Sequence, residues 1–341
     1  MINIGILGCG NIARTRHIPE YAANPDCRIT AYYNPSRGKA EALAQQYGGK
    51  VYDTAEELLA DPSIDAVSVC TANDAHAALS VAAMKAGKHV LCEKPIACTI
   101  EEAQEMLHIS EETGRLLMAG HNQRFLPAHR EAKEYLDTGT IGKVLSFRTT
   151  FGHGGPEMFM KKKDMNSWFF RKERAAMGVM ADLGVHKIDI IHYLTGERSM
   201  RVSAKLSTLD KCREDGSPIS VDDNAVCLLE MESGAVGTVT ASWTYYGQPD
   251  NSTVIYGSKG IMRLYDDPDH SLLIKLADGS LIAGRSGPMD FRAPSGVIDS
   301  WIESIKAGKV LESDGKSALD AMKTVFAAIR SSETGTSIEI H

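Results

Sequence analysis

Three short stretches of this chain carry residue types and spacings that could do chemistry. Asp182 and His186 stand four residues apart in Ala181-Asp182-Leu183-Gly184-Val185-His186-Lys187-Ile188-Asp189, and on a helix that spacing turns both side chains to one side. A carboxylate beside an imidazole can fix its tautomer and raise its basicity, which suits the pair to moving a proton near neutral pH. Lys94 closes the run His89-Val90-Leu91-Cys92-Glu93-Lys94-Pro95. Its apolar core reads as a central parallel strand, which Pro95 ends by withdrawing an amide donor. The lysine then falls at the carboxyl edge of a sheet, where ligands of open α/β folds bind and where its charge can stabilise an alkoxide. Gly8-Cys9-Gly10-Asn11-Ile12-Ala13 matches Gly-x-Gly-x-x-Ala: the first glycine makes a tight turn, the second admits a pyrophosphate to the backbone, and the small third residue lets helix and strand pack closely. Each stretch has a plainer alternative: an Asp cap with a packed histidine, a loop lysine, an ordinary glycine turn. Together they are the parts needed to take a proton from a hydroxyl while hydride leaves its carbon for a nicotinamide.

The elements that must position these residues can be traced along the chain. Residues 2–7 form a strand running into the glycine turn, a helix is expected from Asn11 to Ala23, and a second strand from Arg28 to Tyr33 completes a βαβ unit. Ala40, Leu43, Ala44 and Tyr47 have helical spacing before a short strand at 50–52. Thr54-x-x-Glu57 and Thr99-x-x-Glu102 read as capping boxes. Strands at 64–70, 90–92 and 116–120, with a helix from Ala75 to Ala86, complete a six-stranded doubly wound parallel sheet of the Rossmann type over residues 1–122. Right-handed crossovers bring Thr71, Asn73, His76, Lys94 and Arg124 toward one edge, where they could line a nicotinamide cleft; for His76 helix packing is the equal alternative. Residues 123–341 read as an α+β domain: a helix over 127–137, then strands on a large, mostly antiparallel sheet. In the first strand Leu145, Phe147, Thr149 and Phe151 share a face; later strands are expected at 200–209, 223–231, 235–243, 251–257 and 261–265, with hairpin signals at Glu232-Ser233-Gly234 and Gly257-Ser258-Lys259-Gly260. Helices around 296–307 and 315–331 close the chain. An open sheet face would suit a homo-oligomer, a dimer or tetramer.

Composition narrows the function. The 341 residues are 43% hydrophobic and 24% charged, which supports two globular domains with ample core. A net charge of −7 argues against nucleic-acid or anionic-membrane partners, and Lys161-Lys162-Lys163, followed at once by Asp164, reads as a solvated loop. The seven cysteines are scattered without a Cys-x-x-Cys pair, as expected for reduced thiols in the cytoplasm. No signal peptide and no apolar run of about 20 residues is evident, and no His-Glu-x-x-His or cysteine cluster supplies metal ligands.

Nucleotide choice turns on Tyr33-Asn34-Pro35-Ser36-Arg37. An acidic residue at the end of the second strand would bind the ribose 2′-hydroxyl and repel the 2′-phosphate of NADP. The neutral Asn34 repels nothing, and Ser36 and Arg37 stand close enough in sequence to cradle a phosphate, so either NAD or NADP is expected, with a lean to NADP. The alternative is that Arg37 is a solvated residue at a helix start.

On these motifs the chain resembles the Gfo/Idh/MocA family, the glucose-fructose oxidoreductase and inositol dehydrogenase group, over essentially its whole length. Gly8 to Ala13, Glu93-Lys94-Pro95 and Asp182 to His186 match the family's three motifs. The resemblance implies that Lys94 is the active-site lysine, His186 the acid/base, Asp182 its partner, the second domain a sheet shaping the substrate pocket, and the reaction pyridine-nucleotide chemistry on a sugar or cyclitol. Ala72 stands where many relatives have proline, and Ala175-Ala176-Met177-Gly178 where many have a glycine run, so substrate shape is not carried over. His153, Trp168, Arg174 and Tyr245 lie on segments that could reach the pocket, packing being the alternative for each. The first reading is thus a dehydrogenase or reductase acting on a secondary alcohol of a sugar, sugar acid or inositol. Alternatives are a glycosidase that uses NAD in a transient oxidation, and a nucleotide- or sugar-binding regulator, which would need none of the proton chemistry.

Overall fold

The computed structural model describes residues 1–160, 163–290 and 293–341, and the chain divides into two units, Met1–Asn122 with Phe291–Leu319 and Gln123–Asp290 with Asp320–His341. In the first unit β1 (Ile2–Leu7), α1 (Ile18–Ala23), β2 (Cys27–Tyr33), α2 (Arg37–Tyr47), β3 (Lys50–Val51), α3 (Ala55–Ala60), β4 (Ala66–Val69), α4 (His76–Lys85), β5 (His89–Cys92), α5 (Ile100–Thr113) and β6 (Leu117–Ala119) alternate. The six strands are parallel in the order β3-β2-β1-β4-β5-β6. Strand order therefore reverses between β1 and β4, and the crevice opened there at the carboxyl ends is where such sheets bind ligands. Val90, Leu91 and Cys92 are wholly buried, as a central strand covered on both faces must be.

Local chemistry sets the boundaries. Thr99 and Glu102 form the complete capping box at α5. At α3 only half of it forms: Thr54 Oγ1 accepts from Glu57 N at 3.1 Å, but the Glu57 carboxylate takes the Asp53 amide instead. The helix expected from residue 11 contains a π-helical turn, Ala13–His17, before α1. A division into 1–122 and 123–341 also misses a return of the chain, because the amphipathic helix Val297–Ala307 buries Val297, Ile298, Trp301 and Ile302 and belongs to the first unit. There Asp299 accepts from Asn24 at 2.8 Å and Lys306 pairs with Asp26 at 2.9 Å.

The second unit holds α6 (Pro127–Asp137), β7 (Val144–Gly152), α7 (Lys172–Ala175), α8 (Val185–Thr195), β8 (Ser199–Ser207), β9 (Asn224–Met231), β10 (Val236–Ser242), β11 (Thr253–Gly257), β12 (Gly260–Leu264), β13 (Leu272–Leu276), β14 (Leu281–Ala283) and β15 (Ile338–Glu339). They form a nine-stranded sheet in the order β14-β13-β12-β11-β7-β10-β9-β8-β15, antiparallel except between β7 and β10. Strict alternation along β9 buries Ala225, Cys227 and Leu229 and exposes Val226 and Leu228. Three strands go beyond the sequence expectation. Leu272-Leu273-Ile274 is an apolar run without alternation, β14 spans three residues and β15 two, so none carries a period-2 signature. Among the described residues no helix is long and apolar enough to cross a membrane. All seven cysteines are free.

Candidate active site

At the carboxyl edge of the parallel sheet the ladder runs on past the strands, with Gly8 N donating to Tyr33 O, Cys70 N to Leu7 O, Glu93 N to Val69 O and Gly120 N to Cys92 O. Gly8 has φ +95°, and a Cβ there would lie 2.7 Å from the Cys70 carbonyl, so the turn admits only glycine. At Gly10 a Cβ would meet nothing nearer than Cys70 O at 3.9 Å, which leaves the backbone open to a phosphate, and Ala13 is wholly buried as the close-packing third residue. Asn34 shapes this loop by accepting from Cys9 N at 2.9 Å and donating to Ser36 O at 3.0 Å. Arg37 is paired with Glu41 at 2.8 Å and with Asp53. Asn11 is exposed and takes Arg14, and Ile12 is half-buried beside it. These residues fit a dinucleotide, whose pyrophosphate the glycine loop and the following turn would receive and whose ribose end Asn34 to Arg37 would meet.

Lys94 is set by what lies beneath it. Glu93 Oε2 accepts from Lys94 N at 3.1 Å, while Oε1 bonds His17 Nε2 at 2.9 Å, and His17 Nδ1 meets Ser68 Oγ, which Tyr21 also reaches. Burial works against the charge on both partners. Cys70 and Glu93 outweigh it on His17, whose pKa is well above its ordinary value, and His17 and Lys94 outweigh it on Glu93, which is held below the usual carboxylate range. A partly buried ion pair thus ties the turn after the glycine loop to the residue before Lys94. His76 joins the same edge, with Nδ1 2.7 Å from Pro95 O and Nε2 3.1 Å from Thr71 O. Burial lowers its pKa despite those carbonyls, so it braces the turn after Lys94. Thr71 and Asn73 follow β4 at this edge, and Asn73 is buried.

In the second unit Asp182 lies on a π-helical turn, Met180–Gly184, that leads directly into α8 and His186; such turns recur at functional sites. Its entry is fixed by the half-buried Asp222 carboxylate, which accepts from Gly178 N and Met180 N at 2.8 Å each. Burial raises the Asp222 pKa even so. A Cβ on Gly178 would stand 1.9 Å from Asp222 O, so the glycine is required there. Asp182 Oδ2 accepts from the indole of the buried Trp243 at 3.1 Å. The His186 ring, 6% exposed, lies 5.9 Å from that of Phe151, which is edge-on to His153 at 6.0 Å. His153 Nδ1 accepts from Gly155 N, so its neutral form carries the proton on Nε2.

Residues 2–121 match the family model described as oxidoreductase family, NAD-binding Rossmann fold, and residues 129–263 match the GFO/IDH/MocA C-terminal domain. The chain belongs to the GFO/IDH/MocA oxidoreductases. Levoglucosan dehydrogenase of Pseudarthrobacter phenanthrenivorans is 31% identical over 287 residues, 76% of this chain and 72% of that protein. Inositol 2-dehydrogenase of Rhizobium meliloti is 29% identical over 97% of this chain and 96% of its own. A solved levoglucosan dehydrogenase in complex with NADH superposes with a TM-score of 0.90 at 26% identity, covering 100% of this chain and 99% of that one.

Other candidate residues of this GFO/IDH/MocA oxidoreductase occupy specific settings. Arg124, expected at the cleft, directs Nε and Nη2 to Asp189 at 2.8 and 2.6 Å; the buried ion pair braces α8. Trp168 stacks on Phe169 at 3.9 Å, and the Tyr245 ring covers Gly152. Arg174 lies on α7. Of the lysine run, Lys161 and Lys162 lie outside the described residues. The sequence reading missed His17, Asp222 and Trp243: His17 lies inside the helix expected from Asn11 to Ala23, Asp222 just before the strand expected at 223–231 and Trp243 at the end of that expected at 235–243, but nothing in the sequence marks their partners.

It also passed over Lys187, the neighbour of His186, which is wholly buried and donates to Asn251 O at 2.9 Å and Thr253 Oγ1 at 3.4 Å. Burial lowers its pKa from 10.5 to about 7, Asp250 opposing. Between those values the unfolded chain holds the proton that the folded chain lacks, so this group makes stability rise with pH across that window, by up to about 1.4 kcal/mol per pH unit, and its cost is complete below pH 7. Denaturant unfolding at several pH values in the window should show a steeper rise for the wild type than for Lys187→Met; equal slopes contradict the assignment.

Proposed function

We propose that this oxidoreductase transfers a hydride between a secondary alcohol of a sugar, sugar acid or inositol and the nicotinamide of NAD(P), with Lys94, Asp182 and His186 handling the proton. The supporting observation is the setting of Lys94, which follows β5 at the carboxyl edge of the parallel sheet with its amide fixed by Glu93, itself paired to the turn after the glycine loop. The bound nicotinamide supplies the hydride acceptor or donor. Lys94 provides a charge that favours the alkoxide as the hydroxyl proton leaves, and His186 takes that proton at a ring nitrogen. Asp182, held by Trp243, orients the imidazole and favours its charged form. Levoglucosan and inositol dehydrogenases among the relatives support a polyol substrate. Purified protein should reduce nicotinamide with members of a sugar and polyol panel. Aglycone release without net absorbance change would favour the glycosidase, and binding without turnover a regulator.

For the nucleotide, Arg37 could reach a 2′-phosphate, but Glu41 and Asp53 already offset its charge. The lean to NADP therefore reduces to tolerance of both nucleotides. Arg37→Ala should raise KM for NADP well above its effect on NAD; equal effects, or a wild-type NAD preference of about 100-fold, near 2.7 kcal/mol, would mean that Arg37 reads nothing. The exposed Val226, Leu228 and Val236 on the open sheet face support a second copy as its cover, which light scattering checks. Free thiols and the absence of a basic stripe support a cytoplasmic enzyme without nucleic-acid partners.

A further inference from the structure

We propose that the second unit carries a subsite for a neutral, hydroxylated ring attached to the sugar being oxidised, so that the preferred substrate is a glycoside; this rests on the function proposed above. The subsite is a recess of about 350 Å³ lined by Gly154, Glu157, Met158, Met165, Lys211 and Tyr246, at the lower end of the range for small-ligand pockets. Its floor is a buried ion pair. Glu157 Oε1 takes the ammonium of Lys211, which also donates to Gly154 O at 2.6 Å, and the two residues are 6% and 5% exposed. Glu157 Oε2 is buried too and has no hydrogen-bond partner among the described residues. A buried carboxylate oxygen left unsatisfied is costly, so the site calls for a donor.

The surroundings say which donor. Glu157 and Lys211 cancel in charge, and among the described lining residues Asp210 and Lys163 cancel as well, which favours neither an anion nor a cation. Tyr246 has its hydroxyl held by Asp210 and its ring 58% exposed. Met158, 67% exposed, adds apolar wall. An aromatic face and thioethers beside one hydroxyl-accepting oxygen suit a pyranose, which presents C–H faces and O–H edges.

The recess is also within reach of the proposed acid/base. Gly154 follows His153, and the rings of His186, Phe151 and His153 are spaced 5.9 and 6.0 Å apart, so the two imidazoles lie within about 12 Å of one another. A second ring linked to a sugar at His186 spans such a gap.

The test uses the enzyme with NAD, the methyl glycoside of the best monosaccharide found in the panel, and the same sugar extended by one glucosyl unit. Binding is measured by calorimetry and turnover by nicotinamide absorbance. The extended sugar should bind more tightly, and Glu157→Gln, which keeps an oxygen for Lys211 but puts an amide donor in place of Oε2, should weaken it about 10-fold or more. Tyr246→Ala, a change at an exposed residue, should weaken it likewise, and both variants should leave the methyl glycoside unchanged. Equal binding of the two sugars, or variants that leave the extended sugar unaffected, overturns the subsite whether or not turnover occurs. Failure of either sugar to reduce nicotinamide in the wild type overturns the proposed reaction and is read independently of the binding result.

Discussion

Lys94→Ala should lower kcat by about 10²-fold or more while leaving nucleotide affinity near that of the wild type, the scale of one lost electrostatic or acid/base group. The separation of the two effects follows from where the interaction arises. The substrate hydroxyl is neutral in the ground state and acquires charge only as its proton leaves, so an ammonium beside it stabilises the transition state more than the bound complex. The groups proposed to shape the nucleotide site, Gly8, Gly10 and Asn34 with its bonds to Cys9 N and Ser36 O, make no use of the Lys94 side chain. The Glu93 carboxylate still has the His17 imidazole and the residue-94 amide as partners in the variant, so the strand end should hold its shape. Steady-state kinetics together with a nucleotide-binding titration check this. A near-normal kcat would remove Lys94 from the chemistry.

His186→Ala should cost about 10² to 10⁴ in kcat and remove the acid limb of the pH-rate profile in the oxidative direction, because a proton acceptor in the proposed role must be neutral to act. Asp182→Asn is the informative companion. An asparagine retains one oxygen for the Trp243 indole, so the π-helical turn keeps its anchor while the negative charge disappears. On the proposed pairing, in which the carboxylate favours the imidazolium, a weak enzyme with the acid limb displaced to lower pH is expected. An acid limb unchanged in His186→Ala would assign it to Lys94 or another group.

Much of this was legible in the sequence for definite reasons. The glycine turn, the six short parallel strands and the helix at Pro127–Asp137 are set by local spacing and breakers, and they stand where periodicity put them. The packing that fixes the candidate residues was not legible. His17 and Glu93 are 76 residues apart, and Trp243 and Asp182 are 61 apart; side-chain pairs at such separations leave no periodic mark. Arg124 looked like a cleft residue from its place after β6, and its bond to Asp189, 65 residues on, was equally invisible. The same limit applies to Thr54, whose capping box is complete in sequence and half-formed in the fold because Asp53 N competes for Glu57. Whole elements escaped only where they were too short or too uniformly apolar to alternate, as in β13 to β15.

The central claim, hydride transfer from a carbinol carbon to the nicotinamide, is tested most directly by following the hydrogen itself. A substrate from the panel, deuterated at the carbon to be oxidised, is turned over with NAD in ordinary water, and the recovered nucleotide is examined by NMR. Deuterium at the nicotinamide C4 position, in proportion to product formed, is the predicted result. Turnover that leaves the label in the sugar or releases it to water, with unlabelled nicotinamide, would contradict it.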